Sequence, residues 1–193
     1  MNRLVLEQKT LKTVKKTEGV LIGCRIPKDY FVTKGRGESD ITVHAGSYHL
    51  ALKDAGIEMC NIMTYSSILP SIAQQIERPE KLTHGAVMET IMATCNSKKG
   101  QLATSGIIYG WLYDRKTGER YGGLVCEHNG QVSREEIQKR LAASLQELYT
   151  NGYSQDYELK DMNMFIESFK VKKKYGTALV ALCFTNYLVP MAE

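Results

Sequence analysis

Two adjacent hydroxyl side chains, Ser66 and Ser67, stand between a mostly apolar run, Ile57 to Tyr65 (IEMCNIMTY), and Pro70. A serine pair by itself is most often a polar step at a strand end. Here a proline that must end sheet pairing closely follows an apolar strand, so the backbone between them can be strained enough to react with itself. The Ser67 hydroxyl can attack the Ser66 carbonyl, and an N-to-O acyl shift then turns the peptide bond into an ester. β-Elimination would release Ser66 as a new carboxyl terminus and leave a dehydroalanine that hydrolyses to a pyruvoyl group at position 67. The chain would have made its own electrophile. Glu127 ends the segment Gly123-Leu124-Val125-Cys126-Glu127 and by itself reads as a strand-end carboxylate facing water or pairing with a lysine. His84, just before another apolar segment, reads equally as a turn or core histidine.

The elements that must position these residues follow from periodicity and punctuation. Met1 to Gly19 is polar and Lys/Thr-rich, an extension outside a domain expected over residues 20–193. Leu21 to Arg25 and Tyr30 to Thr33 read as short strands around Pro27-Lys28-Asp29. Lys34 to Asp40 (KGRGESD), with two glycines among charges, reads as a loop that lacks the Gly-Lys-Ser/Thr ending of a phosphate-binding loop. His44 to Ala55 places Tyr48, Ala51, Leu52 and Ala55 on one helical face, with Gly56 at the C-cap. Strands are expected at Ile57–Tyr65, Gly85–Ala93, Gly106–Tyr113 and Tyr121–Glu127, the last two joined by a turn at Asp114–Gly118. A second helix starts at a capping box, Ser133 with Glu136. It carries the stripe Ile137, Leu141, Leu145 and Leu148 and closes at Asn151-Gly152. Met162–Val171 and Thr177–Val189 finish the chain as strands. Many strands adjacent in sequence with two main helices make an α+β layered sandwich with largely antiparallel sheets.

Composition narrows the function further. A chain of 193 residues, 43% hydrophobic and 24% charged, suits one domain. The net charge of +4 is mild and scattered, partly in Lys12, Lys15 and Lys16 and in Lys172–Lys174, which argues against a nucleic-acid partner. Five cysteines, an odd number without a CxxC pair, suggest neither a disulfide framework nor a zinc site, so no metal is expected and a reducing cytoplasmic compartment is. No apolar run approaches a membrane span and the first residues are too polar for a signal-peptide core, so no membrane partner is expected.

The segment Asn61-Ile62-Met63-Thr64-Tyr65-Ser66-Ser67-Ile68-Leu69-Pro70 resembles the self-cleavage segment of the pyruvoyl-dependent arginine decarboxylases. Ala51-Leu52-Lys53-Asp54-Ala55-Gly56-Ile57, His84-Gly85-Ala86-Val87, Gly123 to Glu127 and the capped helix match the family in order and spacing, so the resemblance runs from about Val32 to Tyr187. It implies a multilayer αββα sandwich self-cleaved into two chains between Ser66 and Ser67, assembled as a homotrimer with active sites between protomers. It implies arginine converted to agmatine and CO2 through a Schiff base to a covalent pyruvoyl group derived from Ser67. Ser66 is then the residue released at the cut, Asn61 a hydrogen-bonding residue that assists cleavage, and Glu127 the proton donor. His49, Leu52, Glu58, Cys60 and Ile68 fall at substrate-binding positions.

One departure bears on the substrate. Where the family carries an acid that holds the guanidinium, this chain has His49, and an imidazole cannot replace a carboxylate opposite a fork of donors. Asp54 lies about 140° further around the helix. Glu38, Asp40 or a neighbouring protomer could supply the charge and keep arginine as substrate; otherwise the pocket takes another amino acid. The third alternative is an uncleaved scaffold or regulatory relative.

Overall fold

A computed structural model describes residues 24–190, so the extension expected over residues 1–19 and most of the strand expected at Leu21–Arg25 lie outside the described residues. Strand β1 (Ile26–Pro27) and the long β2 (Asp29–Ser39) come first. A π-helical turn (Val43–Tyr48) runs into α1 (His49–Ala55), then come β3 (Asn61–Thr64), β4 (Ile68–Pro70) and β5 (Gln74–Gln75). Strands β6 (Val87–Lys98), β7 (Leu102–Asp114) and β8 (Arg120–Gly130) precede α2 (Arg134–Gly152), and β9 (Tyr157–Lys170), β10 (Tyr175–Phe184) and β11 (Tyr187–Leu188) end the fold.

The strands form a five-stranded sheet in the order β3-β6-β10-β2-β5, a four-stranded sheet β4-β8-β7-β9, and the small pair β1-β11. Only β3–β6 and β2–β5 pair in parallel, so the class is α+β with mostly antiparallel sheets. Side chains alternate across a strand, and β7 uses both faces. Ile107, Tyr109 and Trp111 meet Ile91, Val180 and Leu182 of the other sheet, while Ile108 and Leu112 meet Ile137, Leu141 and Leu145 of α2. The apolar stripe read for α2 is thus its buried face, apart from Leu148, which is 38% exposed. Ala51, Leu52 and Ala55 of α1 pack on Phe31, Leu179 and Ala181 of the five-stranded sheet.

Several expected boundaries move, each for a local reason. The segment KGRGESD is not a loop: β2 runs through it to Ser39, pairing with β10 along its length. Its glycines serve close approach, because a Cβ on Gly35 would stand 2.1 Å from the Ala51 carbonyl oxygen and one on Gly37 2.2 Å from that of Ser47. We expect Gly35→Ala to cost about 3 kcal/mol by overpacking and to lower Tm by roughly 6–12 °C in a chain of this size, read by calorimetry. Gly56 does cap α1 in the left-handed region, at φ 70°. The strand expected from Ile57 shrinks to Asn61–Thr64 because residues after that cap turn back on themselves, with Cys60 N donating to the Ile57 carbonyl. The Ser133 hydroxyl accepts from Glu136 N as a cap should, but the Glu136 carboxylate accepts from Arg140 four residues on. Asn151-Gly152 stays inside the last turn of α2, and Tyr153 is the C-cap. The final expected strand is broken at Thr185-Asn186, where Thr185 N donates to the Asp29 carbonyl.

Candidate active site

At Ser66 the chain passes from one sheet to the other. On its N-terminal side β3 belongs to the five-stranded sheet, and Tyr65 N donates to the Thr90 carbonyl at 2.7 Å. On its C-terminal side Val125 N donates to the Ser67 carbonyl at 3.0 Å, beside the pairing of β4 with β8. Both ends of the Ser66–Ser67 link are therefore fixed by backbone hydrogen bonds to different layers. The Ser67 hydroxyl lies 2.9 and 3.1 Å from the two carboxylate oxygens of Glu127, within the reach that proton transfer requires.

Because β4 covers β8 only from Gly122 to Leu124, a hollow of about 480 Å³ opens beyond it, lined by Ser66, Ser67, Ile68, Glu127, His128 and Leu148 among others. Cys126 also lines it. Burial, with the Glu127 charge adding to it, pushes its thiol up to about 11, so this sulfur stays protonated and is not a rival nucleophile at neutral pH. His128 Nε2 is 2.8 Å from the Ser144 hydroxyl of α2. Neither residue was singled out from the sequence, since nothing local tells that Ser144 of a helix meets β8; the one available signal was the adjacency of His128 to Glu127.

The family model for pyruvoyl-dependent arginine decarboxylase matches residues 29–189. That range carries the whole Ser66–Ser67 link and Glu127. The chain belongs to the pyruvoyl-dependent arginine decarboxylase family. It is similar to the pyruvoyl-dependent arginine decarboxylase AaxB of Chlamydia abortus, at 33% identity over 86% of this chain and 94% of the relative. AaxB of Chlamydia caviae is 32% identical with the same coverage. A probable pyruvoyl-dependent arginine decarboxylase of Chlorobaculum parvum is 30% identical over 62% of this chain and 70% of its own length. Dependence on a covalent pyruvoyl group comes with the family, as the resemblance had implied.

Within one chain, the residues expected at the site fall into two groups. Ser66, Ser67, Ile68 and Glu127 meet at the hollow. Asn61 does not join them, because its Nδ2 donates to the Gly85 carbonyl at 2.9 Å from the start of β3. His49 is exposed on α1, Leu52 is buried in the α1 contact, and Cys60 packs against the edge of that same cluster. Burial and then the Glu58 charge raise the Cys60 thiol, so Glu58 belongs to this second group. His84 is exposed in the turn before β6. The acids weighed as replacements for the missing charge hold backbone instead. Glu38 accepts from Lys172 N and Lys173 N, Asp40 from Lys174 N, and Asp54 from Arg36 N. Among the described residues no group of three or more His, Cys, Asp or Glu could hold a metal ion, and no helix is long and apolar enough to cross a membrane.

Proposed function

We propose that this protein cuts its own chain between Ser66 and Ser67 and then, as a multilayer αββα sandwich of two chains, decarboxylates arginine to agmatine and CO2. The observation that carries this reading is the Ser67 hydroxyl on both Glu127 oxygens where β3 hands the chain over to β4 of the other sheet. The residues fit a pyruvoyl group at position 67: Ser67 has the hydroxyl from which it forms, and its carbonyl is held by Val125 N. In the precursor, Glu127 takes the hydroxyl proton while Ser67 Oγ bonds to the Ser66 carbonyl carbon. The C–N bond breaks and its nitrogen is protonated. Elimination then frees the Ser66 carboxylate, and water replaces the nitrogen, which leaves as ammonia. The group so made supplies an electron sink for the loss of CO2. In the matured chain Glu127 stands at the same place, ready to hand a proton to the substrate α-carbon, and Leu124, Val125 and Ile68 limit the access of water.

The split of the site positions into two groups supports assembly with further copies, as a homotrimer with sites between protomers. Ile68, Met63 and Val87, at 63%, 56% and 62% exposure, are apolar surface that a neighbouring copy would cover. Five free cysteines suit a reducing cytoplasm. The intact mass of every polypeptide in a purified sample tests the cut. We expect fragments of 66 and 127 residues (193 − 66), the larger with a blocked first residue, and arginine as the amino acid that releases CO2 fastest. A single uncut chain after long incubation would overturn the reading in favour of a scaffold relative, and faster release from another amino acid would assign the His49 departure to a changed substrate.

A further inference from the structure

The least accounted-for charge in the fold is a carboxylate beside β3. Glu89, on β6 opposite Met63, is 4% exposed, yet its Oε2 has no hydrogen-bond partner among the described residues. Leaving such an oxygen buried and unpaired is costly. Its Oε1 is met by the guanidinium of Arg25, which also lies over the Tyr187 ring, 5.0 Å from its centre. The partners are unequal: the Arg25 side chain is 55% exposed and that of Glu89 5%. The carboxylate is built in, and the cation reaches it from solvent. A fixed carboxylate with a spare oxygen beside an aromatic face is a receptor for a guanidinium fork.

This receptor flanks the reactive link. Thr90, next to Glu89, accepts from Tyr65 N, two residues before Ser67, and β1, which follows Arg25, packs against β4, which follows Ser67. We propose that Glu89 and the Tyr187 ring form the site for the substrate's guanidinium, and that Arg25 of the same chain fills it until substrate displaces it. The inference rests on the decarboxylase reading above and names the acid that His49 cannot be. Departure of Arg25 frees both Glu89 oxygens for the two parallel N–H···O bonds that a guanidinium makes.

Binding of agmatine, which cannot itself be decarboxylated, is measured by calorimetry on the purified full-length protein, with n-hexylamine as an amine lacking the guanidinium. Glu89→Gln should weaken agmatine binding at least about tenfold, since a neutral amide leaves a charged donor unpaired. Arg25→Met should tighten it at least about fivefold, because the competitor is gone, and neither change should move n-hexylamine. Unchanged agmatine affinity in Glu89→Gln, or unchanged or weaker affinity in Arg25→Met, would show a structural ion pair and overturn the proposal. Should Glu89→Gln not fold, Arg25→Met decides alone, because only a displaced competitor makes its loss tighten agmatine binding. The decarboxylase reading fails separately: an uncut wild-type chain that releases no CO2 from arginine refutes it, whatever agmatine does.

Discussion

Ser67→Ala yields one uncut chain of 193 residues and no measurable release of CO2. The hydroxyl is the only atom at position 67 that can attack the Ser66 carbonyl, and without the cut no carbonyl exists to receive an amine. Turnover should fall to the uncatalysed level, a loss of at least about 10⁶-fold. Stability should change far less. The Ser67 hydroxyl is half-buried and bonded to Glu127, and losing one such bond costs about 1–3 kcal/mol. Intact mass and a thermal melt on the same sample separate the two effects. Two fragments from the variant would show that another residue is the nucleophile.

Glu127→Gln keeps an acceptor opposite Ser67 but has no proton to give. If Glu127 returns the proton to the α-carbon after CO2 departs, kcat should drop by about 10²–10⁴-fold, with KM little altered because the side chain keeps its size. The rate must be normalised to the cut fraction found by mass, since Glu127 also faces the Ser67 hydroxyl before the cut. An unchanged kcat per cut chain would remove Glu127 from the proton transfer and leave it a role in maturation alone.

What the sequence made legible was what is written locally. The cap at Ser133 and the stripe Ile137, Leu141 and Leu145 lie within a few turns of one helix, and they were readable without a partner. The glycines of KGRGESD misled because glycine among charges looks the same whether it bends a loop or lets a helix lie across a strand. Only the presence of α1 on β2 separates the two, and that is a tertiary fact. Ser67 and Glu127 are 60 positions apart, so no spacing rule joins them; the family pattern did, and a pair of hydrogen bonds supplies the physical reason. Glu89 was invisible for the opposite reason. A glutamate within Val87-Met88-Glu89-Thr90 looks like an ordinary outward-facing strand residue, and what sets it apart, the pairing of β6 with β3 and the guanidinium of Arg25 on its carboxylate, is tertiary.

The order of the five-stranded sheet bears on how the matured protein would behave as an object. Cut after Ser66, the smaller piece contributes β3 and β2 and the larger piece β6, β10 and β5. The two interlock, with β2 of the smaller piece set between β10 and β5 of the larger and zipped to β10 over ten residue pairs. Neither piece could then leave without peeling a central strand from its neighbours, so fragments of different molecules would not trade places. Each cut molecule would keep for its lifetime the two halves it was made with, and a mixed population of variants would stay a mixture of unmixed molecules.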